Sequence, residues 1–146
     1  MKSRTKARSI ALQVLYEVDL IGHLPAIVVE QRIKDDGIKD DSQKEFIHKI
    51  VMGVYPYIQQ LDTYIAEHAP EWPLDQVATI DRNIIRIALW EFAVEGCTPT
   101  KVAINEAIEL SKMFGSDSTP RFVNGVLGSL AERQSEIIAT IKKSKN

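Results

Sequence analysis

The stretch Lys101 to Leu130, KVAINEAIELSKMFGSDSTPRFVNGVLGSL, constrains the fold more than any other part of the chain. It reads as helix, stop, helix. Val102, Ala103, Ala107, Leu110 and Phe114 recur at helical spacing and predict one buried stripe. Gly115 supplies a residue free to take positive φ, a common way to end a helix. Ser116 to Thr119 are turn formers with side chains that bond locally. Ser118 or Thr119 can cap the next helix, and Pro120 suits its first turn, where a missing N–H costs nothing. Val123, Val126, Leu127 and Leu130 predict the second stripe. Gly125 and Gly128 lie one turn apart. Each costs roughly 1 kcal/mol in helix propensity, so another helix is expected to approach closely there.

The rest of the chain keeps the same period. Ala7, Ala11, Val14, Leu15 and Val18 make the apolar face of a first helix, flanked by Ile10 and Ile21 and ended by Gly22. Pro25 opens a short second helix carrying Ile27, Val28, Val29 and Ile33, which ends near Asp36-Gly37. Ser42 and Glu45 form a capping box for a third helix with Phe46, Ile47, Ile50, Val51 and Val54 on its apolar side. Pro56 breaks or kinks it. Ile58, Leu61, Tyr64 and Ile65 then resume the period as far as His68. Pro70 and Pro73 bracket Trp72 in a rigid link, the expected hinge between two helical halves, with a single helical turn around Leu74 to Val77. A central helix from about Ile80 to Glu95 is apolar almost all round, with Asp81 at the positive end of its dipole and Gly96 as its stop. Ala131 to Lys142 continues as helix. No segment alternates with a period of two, so the expected class is all-α, with about seven helices.

A chain of 146 residues is long enough for one well-packed domain. We read residues 1–146 as that domain, with an N-terminal half of about 1–70 and a C-terminal half of about 74–142. The formal net charge of −2 excludes a polycation, so any nucleic-acid contact must come from a local patch. Lys2, Arg4, Lys6 and Arg8 form such a patch, and no acid appears before Glu17. Four cations at a helix start oppose the dipole, so they point either to function or to a solubilising, partly frayed end. The lone Cys97 allows no internal disulfide and fits a reducing compartment. No apolar run approaches the roughly 20 residues that span a bilayer. A cytoplasmic protein without membrane contact is expected.

Chemistry-bearing motifs are missing. His23, His48 and His68 are isolated, and no paired-Cys or His-Glu-x-x-His spacing suggests a metal. No Gly-rich loop cradles a phosphate. Asp35-Asp36 and Asp40-Asp41 lie in polar turns, and Cys97 reads as a buried or semi-exposed structural thiol. Neither catalysis nor a cofactor is expected.

Three blocks carry a resemblance: Lys101-Val-Ala-Ile-Asn-Glu-Ala-Ile-Glu-Leu, then Lys112-Met-Phe-Gly, then Phe122-Val-Asn-Gly-Val-Leu-Gly. Together they resemble the signature of the NusB family of bacterial transcription antitermination factors. IDRNIIRIALWE is similar to the same family through Asp81, Ile85-Arg86 and Trp90-Glu91. The blocks also resemble the NusB-like N-terminal domain of ribosomal RNA cytosine methyltransferases. The first resemblance implies two small helical bundles packed side by side. It further implies a factor that binds boxA RNA together with NusE, a small-subunit ribosomal protein. That complex joins the RNA polymerase antitermination complex during ribosomal RNA synthesis. The alternative is a stand-alone NusB-like RNA-binding domain related to the methyltransferases; a self-contained methyltransferase would need a Gly-rich strand–helix loop. A helical module that dimerises through apolar faces is the third reading.

The resemblance also implies roles. Lys2, Arg4, Lys6 and Arg8 stand where the family has an arginine-rich N-terminus. Gln13 and Tyr16 project from helix one, whose polar side the family uses for RNA and for its partner. Lys101 would pair with a phosphate, and Asn105, one turn on, would reach a base or sugar. Phe122, beside Arg121, would stack on an unpaired base, a contact of about 1–3 kcal/mol. Tyr16 and Asp81 would face NusE. Ser118 departs from the family, which often carries an acid there; here Asp117 precedes it. Each has a plainer account. Tyr16 could be a half-buried core residue and Asp81 a helix cap. Lys101, Asn105 and Glu109 could form a solvated face, and Phe122 could belong to the core.

Overall fold

The computed structural model describes residues 1–69 and 78–145, with side chains described to residue 143. The expected hinge at Pro70, Trp72 and Pro73 and the turn at Leu74 to Val77 lie outside the described residues. All regular structure among the described residues is helical, which agrees with the all-α expectation. The chain divides into two compact units, Met1–Ile58 and Gln59–Asn146.

In the first unit, α1 (Ser3–Ile21) packs on α2 (Pro25–Asp35) and α3 (Asp41–Val54). Gly22 ends α1 at φ 78°, its N–H bonded to the Val18 carbonyl at 2.9 Å. Burial on α1 runs unbroken from Ala7 to Leu12, and Ile21, expected to flank the core, is exposed. Ile27 of α2 is also exposed, leaving Val28, Val29 and Ile33 inside. Ile47, Ile50, Val51 and Val54 form the buried side of α3, with Phe46 half-buried at its edge. The expected Ser42–Glu45 capping box gives way to Asp40. Its carboxylate accepts from the N–H groups of Ser42 (2.8 Å) and Gln43 (3.3 Å). The helix begins two residues earlier than the box requires, and a charged acceptor at the helix start outcompetes a neutral one. Pro56 lies in a single 3-10 turn, Tyr55–Tyr57, after which α4 (Ile58–Glu67) follows.

In the second unit, α5 (Thr79–Leu89) packs on α6 (Thr100–Phe114) and α7 (Thr119–Glu132). Arg86 is 3% exposed and forks onto Asp62 of α4, with Nε to Oδ1 at 2.7 Å and Nη2 to Oδ2 at 2.6 Å. Its Nη1 donates to Asn83 Oδ1 at 3.1 Å, so the buried guanidinium is held by charged and neutral acceptors. The central helix widens into a π-helical segment, Trp90–Glu95, closed by the bond from the Gly96 N–H to the Glu91 carbonyl. The Phe92 carbonyl accepts from Gln134 Nε2 at 3.3 Å, and Gln134 Oε1 accepts from the Thr100 hydroxyl at 2.8 Å. One glutamine of α8 (Gln134–Lys145) thereby ties the π segment to the start of α6. The expected continuous last helix breaks at Arg133, which bonds Glu67, His68 and Glu136. Cys97, expected buried or half-exposed, is exposed.

Candidate nucleic-acid interface

The first group of candidate residues lies on α1. The helix starts at Ser3 with no side-chain cap and no acid in its first turn. The Lys6 N–H already bonds the Lys2 carbonyl at 2.9 Å, so this end is helical where fraying was expected. Gln43 Nε2 of α3 donates to the Ser3 carbonyl at 3.1 Å and ties the first turn down. Lys2 and Arg4 are exposed and Lys6 is half-buried. Arg8 corrects the sequence reading: it is 6% exposed, a buried cation rather than a fourth surface one. The side chains at positions 4 and 8 share one helix face. Both guanidiniums lie over the Phe46 ring, Arg4 at 4.0 Å from its centroid and Arg8 at 5.2 Å. The ring's negative face attracts cations. Phe46 was legible in the sequence only as a core residue. Gln13 is half-buried, its amide nitrogen turned back to the Ser9 carbonyl at 3.1 Å, whereas Tyr16 is exposed.

The second group lies on α5, α6 and α7. Lys101, Asn105 and Glu109 are all exposed, on the shared face expected for them. Glu109 pairs with Lys112 at 3.4 Å. Val102, expected in the buried stripe, is 44% exposed. Arg121 is exposed and Phe122 half-buried, so the ring is neither a free platform nor a core side chain.

Asp81 is half-buried at the first turn of α5. The Thr119 hydroxyl donates toward both of its carboxylate oxygens, at 3.1 and 3.2 Å. The same oxygen accepts the Ser116 N–H at 2.9 Å. Neither Ser118 nor Thr119 makes the expected side-chain cap of α7. Thr119, 1% exposed, is instead spent on joining the α6–α7 turn to α5. Desolvation raises the Asp81 carboxyl above its ordinary value, and the Thr119 hydrogen bond opposes the shift.

Gly115 is a further correction. Its φ is −90°, so it is not needed for left-handed backbone. A Cβ there would meet Thr119 side-chain atoms at 2.5–2.6 Å. The glycine leaves room for Thr119 to reach Asp81. Gly125 and Gly128, expected to admit another helix, are exposed with nothing within 4 Å of an added Cβ.

No helix among the described residues is long and apolar enough to cross a membrane. No group of three or more His, Cys, Asp or Glu among them is arranged to hold a metal ion. The described surface features that suit a polyanion are the uncapped cationic turn, the polar face of α6 and the Arg121-Phe122 pair.

Comparison with known proteins identifies the family. The NusB family model matches residues 5–132. The chain is 42% identical over 135 residues to the transcription antitermination protein NusB of Roseiflexus sp. (strain RS-1), covering 91% of this chain and 94% of that protein. Its fold is similar to that of NusB in a crystal structure of the antitermination factors NusB and NusE with double-stranded RNA. There the TM-score is 0.80 at 26% identity, with 96% of this chain and 98% of that one covered. It is likewise similar to a T. maritima NusB structure, with a TM-score of 0.82 at 25% identity and coverage of 93% and 96%. A family model spanning most of the chain and a relative above 40% identity along nearly its full length agree with the helical architecture: the chain belongs to the NusB family.

Proposed function

We propose that the protein is a cytoplasmic, non-enzymatic transcription antitermination factor. It holds boxA-type single-stranded RNA together with NusE, the complex joins RNA polymerase, and ribosomal RNA synthesis is favoured. Family membership supports the class of function. The observation on this chain that carries the RNA reading is the first turn of α1, cationic, uncapped and without an acid, with Arg4 exposed over an aromatic ring. A helix start with no acid of its own and several cations is completed by an external anion, and a phosphate backbone supplies a row of them.

Lys2, Arg4 and Lys6 make phosphate contacts in this reading, and Arg8 supports them from beneath. Lys101 and Arg121 are the candidate phosphate contacts of the second unit. Asn105 reads a base or sugar edge, and the half-buried Phe122 offers its accessible side to a base. Gln13 serves RNA only after giving up its bond to Ser9. Tyr16 is an accessible candidate for NusE. Asp81 reaches that partner with whatever part of its carboxylate Thr119 leaves accessible.

The test is a binding titration of the intact protein, with and without NusE, against three RNAs: single-stranded boxA-type RNA, the same sequence as a duplex, and a scrambled single strand. Tighter binding to the single-stranded boxA RNA, strengthened by NusE, is expected. Equal affinity for all three would reject sequence-selective binding. No affinity for any of them, with NusE present, would reject the RNA function.

A further inference from the structure

Phe46 has no place in the function described so far, yet both arginines of the cationic turn lie over it. It sits on α3, half-buried, at the edge of a side whose other apolar members are fully enclosed. The Arg4 guanidinium is 4.0 Å from its ring centroid and that of Arg8 is 5.2 Å away. The two differ in exposure: Arg8 is 6% exposed, while Arg4 is at the surface. The first turn of α1 holds no acid that could fix Arg4 in place from its own helix. An aliphatic side chain at position 46 would supply packing but no attraction for either charge. An aromatic ring supplies both and favours a planar group lying against it. A guanidinium stacked in this way keeps its N–H edge available for a bidentate phosphate contact. The Gln43 amide, three residues before Phe46, bonds the Ser3 carbonyl, so α3 fixes the backbone of this turn as well as the side chain.

We propose that Phe46 is a positioning residue for RNA binding, holding the Arg4 guanidinium over its ring, with Arg8 beneath, so that Arg4 meets a phosphate of the bound strand. The inference rests on the RNA-binding reading above and adds a residue on α3 that touches no RNA itself. Its role is to limit where the first cation can go. Without the ring, the freedom of a long side chain would scatter the Arg4 charge.

The test is a double-mutant cycle on the full chain, read as affinity for single-stranded boxA-type RNA at low salt. Phe46→Leu is expected to weaken binding roughly fivefold, the size of an exposed cation–π contact. Arg4→Gln is expected to weaken it by at least as much. Phe46→Leu made in the Arg4→Gln background is expected to add nothing, whereas Phe46→Tyr keeps parental affinity. Circular dichroism at the assay temperature confirms that each variant is folded, and Phe46→Met replaces the Leu variant if that one is not. Additive losses from positions 4 and 46, or equal losses in Phe46→Leu and Phe46→Tyr, would show a purely structural ring and overturn the inference. Parental affinity in Phe46→Leu would overturn it too. A parental protein that binds no RNA would instead reject the RNA reading, and the inference with it.

Discussion

Asp81 shows how one residue can satisfy a local rule and a tertiary one together. Near the start of α5 it suits the helix dipole, as its position in the sequence suggests. In the folded protein it is also half-buried and takes the Thr119 hydroxyl. Thr119→Val keeps the shape of that residue and removes the hydroxyl, leaving the Ser116 N–H and the Asp81 carboxylate each short of a partner. A loss of about 1–3 kcal/mol is expected, with Thr119→Ser retaining most of the stability; urea unfolding measures both. The pH dependence has a definite sign. Desolvation places the folded pKa of Asp81 above its ordinary value of 3.8, so the native state binds more protons than the unfolded chain between the two values. Stability contributed by this group therefore falls as pH rises through that window. Asp81→Asn abolishes the titration and keeps an oxygen for Thr119. Relative to the parent, the Asn variant is expected to gain stability as pH rises from below 3.8 toward neutrality. A difference independent of pH would contradict the assignment.

At the scale of helices and turns, the three glycines of the last helical pair separate by what surrounds them. Gly115→Ala brings a Cβ within 2.5 Å of the buried Thr119 side chain, and the turn must open to admit it. A cost of about 1–3 kcal/mol is expected, in line with overpacking elsewhere. Gly125→Ala and Gly128→Ala add a methyl group in open space on the exposed face of α7, and each is expected to stabilise by roughly 0.5–1 kcal/mol. Comparing the three melting curves tests the distinction. The same contrast marks what the sequence can reveal. Val123, Val126, Leu127 and Leu130 are all buried, because apolar spacing reports one face of a helix directly. Polar residues in the interior are invisible to that rule. Arg8, Asn83, Arg86 and Glu91 are buried, and the partners that make this tolerable for Arg86 and Glu91, Asp62 and Thr98, lie 24 and 7 positions away. The π segment at Trp90–Glu95 is hidden for a similar reason. Its bonding is completed by Gln134, which no local pattern connects to it. Of the candidate site, the charges and the exposed polar face of α6 were legible. The burial of Arg8 and the ring beneath Arg4 depend on α3 packing against α1 and were not.

For the whole molecule, electrostatics sets the terms of RNA binding. With a formal net charge of −2 the protein repels a polyanion at long range, so attraction is confined to local cations and should respond steeply to salt. Four N-terminal contacts to single-stranded RNA would give a log–log slope of roughly −3, but the burial of Arg8 leaves Lys2, Arg4 and Lys6, and about −2. Lys101 and Arg121 would each steepen this by about 0.7. Phosphate contacts and base contacts then separate cleanly. Lys101→Gln and Arg121→Gln each remove a counterion-releasing contact, so each should flatten the slope by about 0.7 and weaken all RNA sequences alike. Asn105→Ala and Phe122→Ala remove hydrogen bonding and stacking, which release no counterions, so affinity falls while the slope stays parental. The Phe122 loss should fall below the roughly 1–3 kcal/mol of a fully exposed stacking ring, because this ring is already half covered. Anisotropy titrations of the parent and four variants across a salt series measure all of these at once. A Lys101→Gln variant with the parental slope would remove the polar face of α6 from the phosphate path. A flattened slope in Phe122→Ala would mean that the ring acts by placing Arg121 and does not stack on a base.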